Sequence, residues 1–246
     1  MRPPEPTPAL AAPSWDDLVA ACASRGLRVR GAFHTTLDDA LPDVDGAPAA
    51  TLALLGNAGS SMWEAFERAR AARPTLAGLD AWTLETVTAL AHDLGARPVF
   101  PFEGPPYHPF QRWAQRAEPV HPSPLGMLIH PEFGLWHAYR AALLFAARID
   151  LPPRDETPSP CATCVDRPCL GGCPVRAFSD DPSRGYDVLA CVTHLRTVPD
   201  PGCMTQACLA RRACPVGRAY VYVAPQRAHH MRAFRESCEQ FLPERT

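Results

Sequence analysis

Eight of the ten cysteines in this 246-residue chain lie within residues 161–215, and this stretch limits the fold more than any other. It opens CATCVDRPCLGGCP, which sets Cys161, Cys164, Cys169 and Cys173 before Pro174. A lone Cys191 follows, then CMTQACLARRACP, which sets Cys203, Cys208 and Cys214 before Pro215. Thiolates are soft, anionic ligands, and clustered cysteines in a chain with no visible signal peptide point to metal or redox chemistry. The first residues, MRPPEPTPALAAP, are broken by prolines and have no apolar h-region, which predicts a cytoplasmic protein rather than a secreted disulfide framework.

Two runs that each close in Cys-Pro read as paired iron–sulfur half-sites. In the bacterial ferredoxin run C-x2-C-x2-C-x3-C-P, three cysteines hold one cluster and the fourth reaches over to the other. The spacing here departs from that rule: the first run is C-x2-C-x4-C-x3-C-P, and the second is C-x4-C-x5-C-P, one ligand short. Cys191 supplies the missing ligand. With crossing, Cys161, Cys164, Cys169 and Cys214 form one set, and Cys173, Cys191, Cys203 and Cys208 the other, so the expectation is two 4Fe–4S clusters. Two structural zinc sites would use the same count, but zinc ribbons pair C-x2-C with C-x2-C, and only one C-x2-C is present. Cys22 and Cys238 stand apart and read as small buried residues.

The rest of the chain predicts an α/β body. Residues 1–13 read as a disordered tail. Ser14 with Asp17 starts a capped helix that Gly26 closes. Residues 27–34 and 51–56 read as strands, and Gly59-Ser60-Ser61 before a helix reads as a plain turn or an anion-binding one. Asp80 to Gly95 is an amphipathic helix, 97–102 another strand and 108–117 a short helix. Residues 124–153 read as strand, tight loop and long strand, and the proline-rich 151–160 as a connector. This alternation predicts an α/β domain over 14–150, a two-cluster module over 158–218, and a helical tail over 219–246.

No run of about 18 apolar residues exists, so no membrane span is expected. The net charge is −2, and no block of consecutive basic residues suggests nucleic acid. All 24 basic residues are arginine, which excludes Schiff-base and P-loop lysine chemistry.

Residues 125–140, LGMLIHPEFGLWHAYR, are the second informative stretch. They resemble the Ile-His-Pro-x-aromatic-Gly loop of epoxyqueuosine reductase, whose cobalamin-binding α/β domain precedes a two-cluster ferredoxin-like module. They also resemble the loop of the cobalamin-processing chaperone (cyanocobalamin reductase) family, whose core is similar to flavin nitroreductases. The resemblance covers roughly residues 107–215. It implies a nitroreductase-like α/β fold followed by a ferredoxin-like module. It also implies a corrinoid (cobalamin) or, failing that, FMN against His130, Pro131, Phe133, Gly134, Trp136 and Arg140. His130 carries no assignment as a cobalt ligand, because a histidine fixed in a turn usually bonds backbone.

Two departures weigh against action on tRNA. The reductase's aspartate proton donor aligns with Pro106, with Glu103 the nearest acid, and its helical-repeat extension has no counterpart after Cys214. His108, His121 and His137 are acid–base candidates by proximity alone, and no catalytic residue is assigned. The expectation is an iron–sulfur oxidoreductase relaying single electrons from a low-potential donor protein to a corrinoid or flavin, acting on a small-molecule or corrinoid substrate. The alternatives are a ferredoxin-like carrier without its own substrate and a cobalamin-processing chaperone. Protein side chains do not carry low-potential one-electron reduction, so cofactors must.

Overall fold

A computed structural model describes residues 12–181, 183–199 and 202–238. The expected tail at 1–13 falls almost wholly outside the described residues, as does the chain beyond Cys238. The fold is mixed α/β and divides into two compact units. The first comprises residues 12–57, 61–118 and 138–155; the second comprises 58–60, 119–137 and 156–238.

The first unit begins with α1 (Trp15–Ala23), whose N-cap Ser14 accepts a 3.1 Å hydrogen bond from the Asp17 amide. Next come β1 (Arg28–His34) and β2 (Thr51–Ala58), then α2 (Trp63–Ala72), α3 (Leu79–Asp93), β3 (Arg97–Val99) and α4 (Phe110–Ala117). The chain then enters the second unit through two short paired strands, β4 (His121–Pro122) and β5 (Leu128–Ile129), and rejoins the first as β6 (His137–Phe145). The sheet order is β1-β2-β6-β3, with β1 antiparallel to β2 and β3 antiparallel to β6. Every residue of β2 is buried, as its continuous apolar run requires of a strand inside the sheet. Leu18, Leu55, Phe66, Trp82, Leu90 and Phe145 are among the side chains of one core that α1, α2 and α3 share with the sheet.

Two strand expectations shorten. The predicted strand at 97–102 ends at Val99, because Phe100 to Glu103 turn over a carboxylate: Glu103 Oε2 accepts from the Phe100 amide at 3.0 Å. The predicted strand–loop–strand over 124–153 is regular only at Leu128–Ile129 and His137–Phe145. Cys22 is buried in the first core, where desolvation pushes its thiol up to about 12 against the weaker pull of Arg25.

The first unit also buries a charge pair that the sequence did not announce. Arg30 and Glu118 are 4% and 6% exposed and meet at 3.0 Å. Arg30 also donates to the Asn57 carbonyl at 2.7 Å, and the Tyr139 hydroxyl donates to Glu118. Burial pushes the Glu118 carboxyl up, and Arg30 with Tyr139 opposes that shift.

In the second unit, short helices follow one another: α5 (Pro168–Gly171), α6 (Val188–Thr197), α7 (Cys203–Gln206), α8 (Leu209–Ala213) and α9 (Ala224–Cys238). The expected C-terminal helix is α9, and it packs on α6 and α7 within this unit. Among the described residues no helix is long and apolar enough to cross a membrane.

Candidate functional site

The eight clustered cysteines all lie in the second unit, and they gather there into two sets of four. Cys161, Cys164, Cys169 and Cys214 line one small cavity, together with Pro124, Ile129, Pro168 and Pro215. For the second set, Cys191 and Cys208 pack beside Cys173 in one apolar cluster and beside Cys203 in another, and the four act electrostatically on one another. Each run therefore lends its last cysteine to the other: Cys214 joins the first run, and Cys173 joins the second together with Cys191.

The local structure explains how. Most of these cysteines sit at or beside the ends of short helices, and Cys191 lies within one. Cys173 lies just past α5, Cys191 in α6, Cys203 opens α7, and Cys208 and Cys214 flank α8. Backbone amides then point at sulfur. Ala177 N–H donates to Cys173 Sγ at 3.4 Å, and the nearby Val216, Leu209 and Arg211 amides favour the thiolates of Cys214, Cys203 and Cys208 in turn. Hydroxyls add to this: Ser159 favours the thiolate of Cys161, and Tyr186 that of Cys191.

All ten cysteines are free of disulfides. Burial pushes the Cys161, Cys169, Cys203 and Cys208 thiols up, and neighbouring cysteines push further in the same direction. Cys191 is raised to about 11, chiefly by burial. Thiols packed this way resist ionising together, and a cationic centre among them removes the obstacle. Among the described residues, no three of His, Cys, Asp and Glu stand close enough to hold one metal ion.

The loop expected to bind a planar cofactor is divided between the units: His130 to Trp136 belong to the second, and Arg140 to the first. His130 is buried, and its Nδ1 accepts from the Glu132 and Phe133 amides at 3.0 and 3.2 Å. Its ring stacks on Phe133 at 4.1 Å, and Tyr220 meets Phe133 edge-on at 4.8 Å. Pro131 is half-buried beside them. Trp136 is 1% exposed and packed against Tyr222 and Arg211.

Gly134 has φ +58, and a Cβ there would meet the Val216 carbonyl oxygen at 2.1 Å. Gly217 repeats this from the other side, with a Cβ meeting the Phe133 carbonyl oxygen at 2.2 Å. The two backbones thus touch just beyond the Cys214-Pro215 closure. In the first unit, Arg140 pairs with Asp80 of α3 and reaches Thr83 at 3.4 Å.

The remaining candidates are occupied locally. His121 and His137 bond the Thr157 and Leu128 carbonyls, both at 3.0 Å, and His108 stacks near Trp113. The Gly59 amide, considered for anion binding, donates to the Trp136 carbonyl at 2.7 Å, and Ser60 Oγ accepts from the Val223 amide at 2.9 Å. That turn holds its own unit together instead of presenting amides to a ligand.

Tyr186, Ser159, Arg211 and Gly217 were not singled out in the sequence. Only Gly217, placed three residues after Cys214, carried a signal that spacing alone offers. No protein-family model matches this chain, and no curated protein is similar to it.

Proposed function

We propose that this chain carries single electrons through two 4Fe–4S clusters and delivers them to a corrinoid or, second to that, FMN. It would act as a cytoplasmic oxidoreductase fed by a low-potential donor protein. The observation that carries the reading is the gathering of eight cysteines into two sets of four, each mixing both runs. Cys161, Cys164, Cys169 and Cys214 would hold one cluster, and Cys173, Cys191, Cys203 and Cys208 the other. When bound, each cluster supplies a reversible one-electron carrier, and hydrogen bonds to its sulfurs raise its potential. The Ala177 amide makes such a bond, and the Leu209, Arg211 and Val216 amides and the Ser159 and Tyr186 hydroxyls would supply others.

The finer fold reading is a nitroreductase-like first unit and a ferredoxin-like second unit. The loop IHPEFGLWHAYR supports the corrinoid through its resemblance to the reductase and chaperone loops. A second reading, an electron carrier without an organic cofactor, is favoured by a specific observation: the Phe133 and Trp136 rings are already packed within their own unit by His130, Tyr220, Tyr222 and Arg211.

Anaerobic purification and metal analysis test the core of the proposal. The expected result is about eight iron and eight acid-labile sulfides per chain, and zinc in their place would sink it. Titration with cob(II)alamin and, separately, FMN then separates the two readings. A perturbed cofactor spectrum supports the corrinoid or flavin, and none, in protein with intact clusters, leaves the carrier.

A further inference from the structure

From Gly202 to Arg235 the sequence has six arginines and no aspartate or glutamate, in a chain whose net charge is −2. They are spaced along the chain, so no basic block shows in the sequence, and folding brings three of them together. Arg212, Arg218 and Arg227, with Val221, line an open cavity of about 570 Å³ in the second unit. That volume falls in the range of small-molecule sites, about 300–1,000 Å³.

Among the described residues none of the three arginines has a carboxylate within ion-pair distance. Arg227 is anchored by a 2.6 Å hydrogen bond from Nη1 to the Tyr222 carbonyl, and its buried Nε has no hydrogen-bond partner. Arg212 Nη1 donates to the Gln206 carbonyl at a long 3.4 Å. Three converging guanidiniums without counter-charge repel one another, and an anion relieves that repulsion through charge-assisted hydrogen bonds. Because the chain contains no lysine, the choice of arginine itself says nothing; the convergence does.

We infer that this cavity binds a phosphate-bearing small molecule, with Arg212, Arg218 and Arg227 on the phosphate and Val221 against its apolar part. The concave shape favours a small ligand over an acidic protein, which needs a broad face. The site lies beside the first cysteine set, since Arg218 acts electrostatically on Cys214. It stands whether or not the cysteines hold iron.

The test is calorimetric titration of the anaerobically purified protein with inorganic pyrophosphate at low ionic strength. Saturable binding is expected, weakened roughly tenfold by each of R212Q, R218Q and R227Q. R232Q, outside the cavity, should leave it unchanged. Far-ultraviolet circular dichroism, measured on every variant, shows that a lost signal is not lost folding. Absence of binding overturns the inference, as does equal weakening by R232Q, which would mean diffuse charge attraction. Polyglutamate binding with the same arginine dependence, while pyrophosphate is inert, would assign the surface to an acidic protein and overturn it as well.

Discussion

The Arg211 guanidinium lies 4.3 Å from the ring centroid of Trp136, and its Nε donates to the Leu135 carbonyl at 3.0 Å. One arginine of the second cysteine run thereby clamps the loop that carries IHPEFGLW, and it also covers Tyr222 at 4.7 Å. A desolvated cation over a tryptophan contributes about 2 kcal/mol, and each hydrogen bond from a charged donor about 1.5–3. Arg211→Ala should therefore destabilise the protein by about 2–4 kcal/mol. Arg211→Lys, which keeps the charge but loses the planar fork, should fall between it and the wild type. Thermal unfolding of the three proteins checks the order, and an unchanged midpoint in Arg211→Ala would remove the clamp from the account.

Gly134 and Gly217 should tolerate no side chain. Both have positive φ, but the larger obstacle is the neighbouring backbone, which a Cβ would meet within 2.2 Å. Gly126 is the control, since it has φ +71 and open space around it. Gly126→Ala should cost about 1 kcal/mol for backbone strain alone. Gly134→Ala and Gly217→Ala should cost several times more and lower the iron retained per chain, read by metal analysis after gel filtration. Equal effects at all three sites would reduce the contact to simple turn strain.

Cluster assembly should show the crossing in its failures. Cys214→Ala removes a side chain from the cavity of Cys161, Cys164 and Cys169, and Cys173→Ala removes one from the set of Cys191, Cys203 and Cys208. Paramagnetic resonance on each reduced variant should therefore show Cys214→Ala damaging the signal of the first set and Cys173→Ala that of the second. If each substitution instead spares the other run's signal and damages its own, the partition is wrong.

These features were unevenly legible in the sequence. The cysteine count and the two Cys-Pro closures proposed two sets of four, and the second unit places Cys161, Cys164, Cys169 and Cys214 around one cavity. The helices at Trp15–Ala23 and Leu79–Asp93 were also visible, through an N-cap serine and a periodic apolar face. The loop at His130–Trp136 was recognisable but not its surroundings. Phe133 and Trp136 read first as a cofactor platform and second as packing, and the partners that pack them include Arg211 and Tyr220, 75 to 87 residues downstream. The Arg30–Glu118 pair and the arginine cavity were silent for the same reason: a long-range juxtaposition has no local signature. The strand expected at 97–102 ran long because its apolar letters continue through Phe102, while Glu103 turns the backbone.

Breaking the buried Arg30–Glu118 pair from one side should be costly. Glu118→Gln keeps an acceptor for Tyr139 but leaves the Arg30 charge buried with a neutral partner, at a cost of about 3–5 kcal/mol. Arg30→Met with Glu118→Leu removes both charges, and the double variant should recover most of that loss. A thermal-unfolding cycle with both single variants measures the coupling, and strict additivity would show that the two side chains do not interact.

Asp39 gives a pH dependence whose sign can be stated. Partial burial pulls its carboxyl up, but the Thr36 amide at 2.8 Å and the Arg116 guanidinium outweigh that and hold it below the ordinary value. Arg116 is fixed in turn, with its guanidinium 3.9 Å from the Phe33 ring centroid. A carboxyl with a depressed folded pKa contributes stability that is present in full above its unfolded pKa, about 3.9 for aspartate, and is lost as pH falls through the folded pKa. Asp39→Asn should therefore be less stable than the wild type by about 1–2 kcal/mol at pH 7. The gap should stay constant down to about pH 5 and then close as the wild-type carboxyl protonates. Both proteins are to be unfolded side by side at each pH, where any acid effect common to the two cancels. A gap that does not narrow as pH falls below the unfolded aspartate value would mean that the substitution acts through shape, not charge.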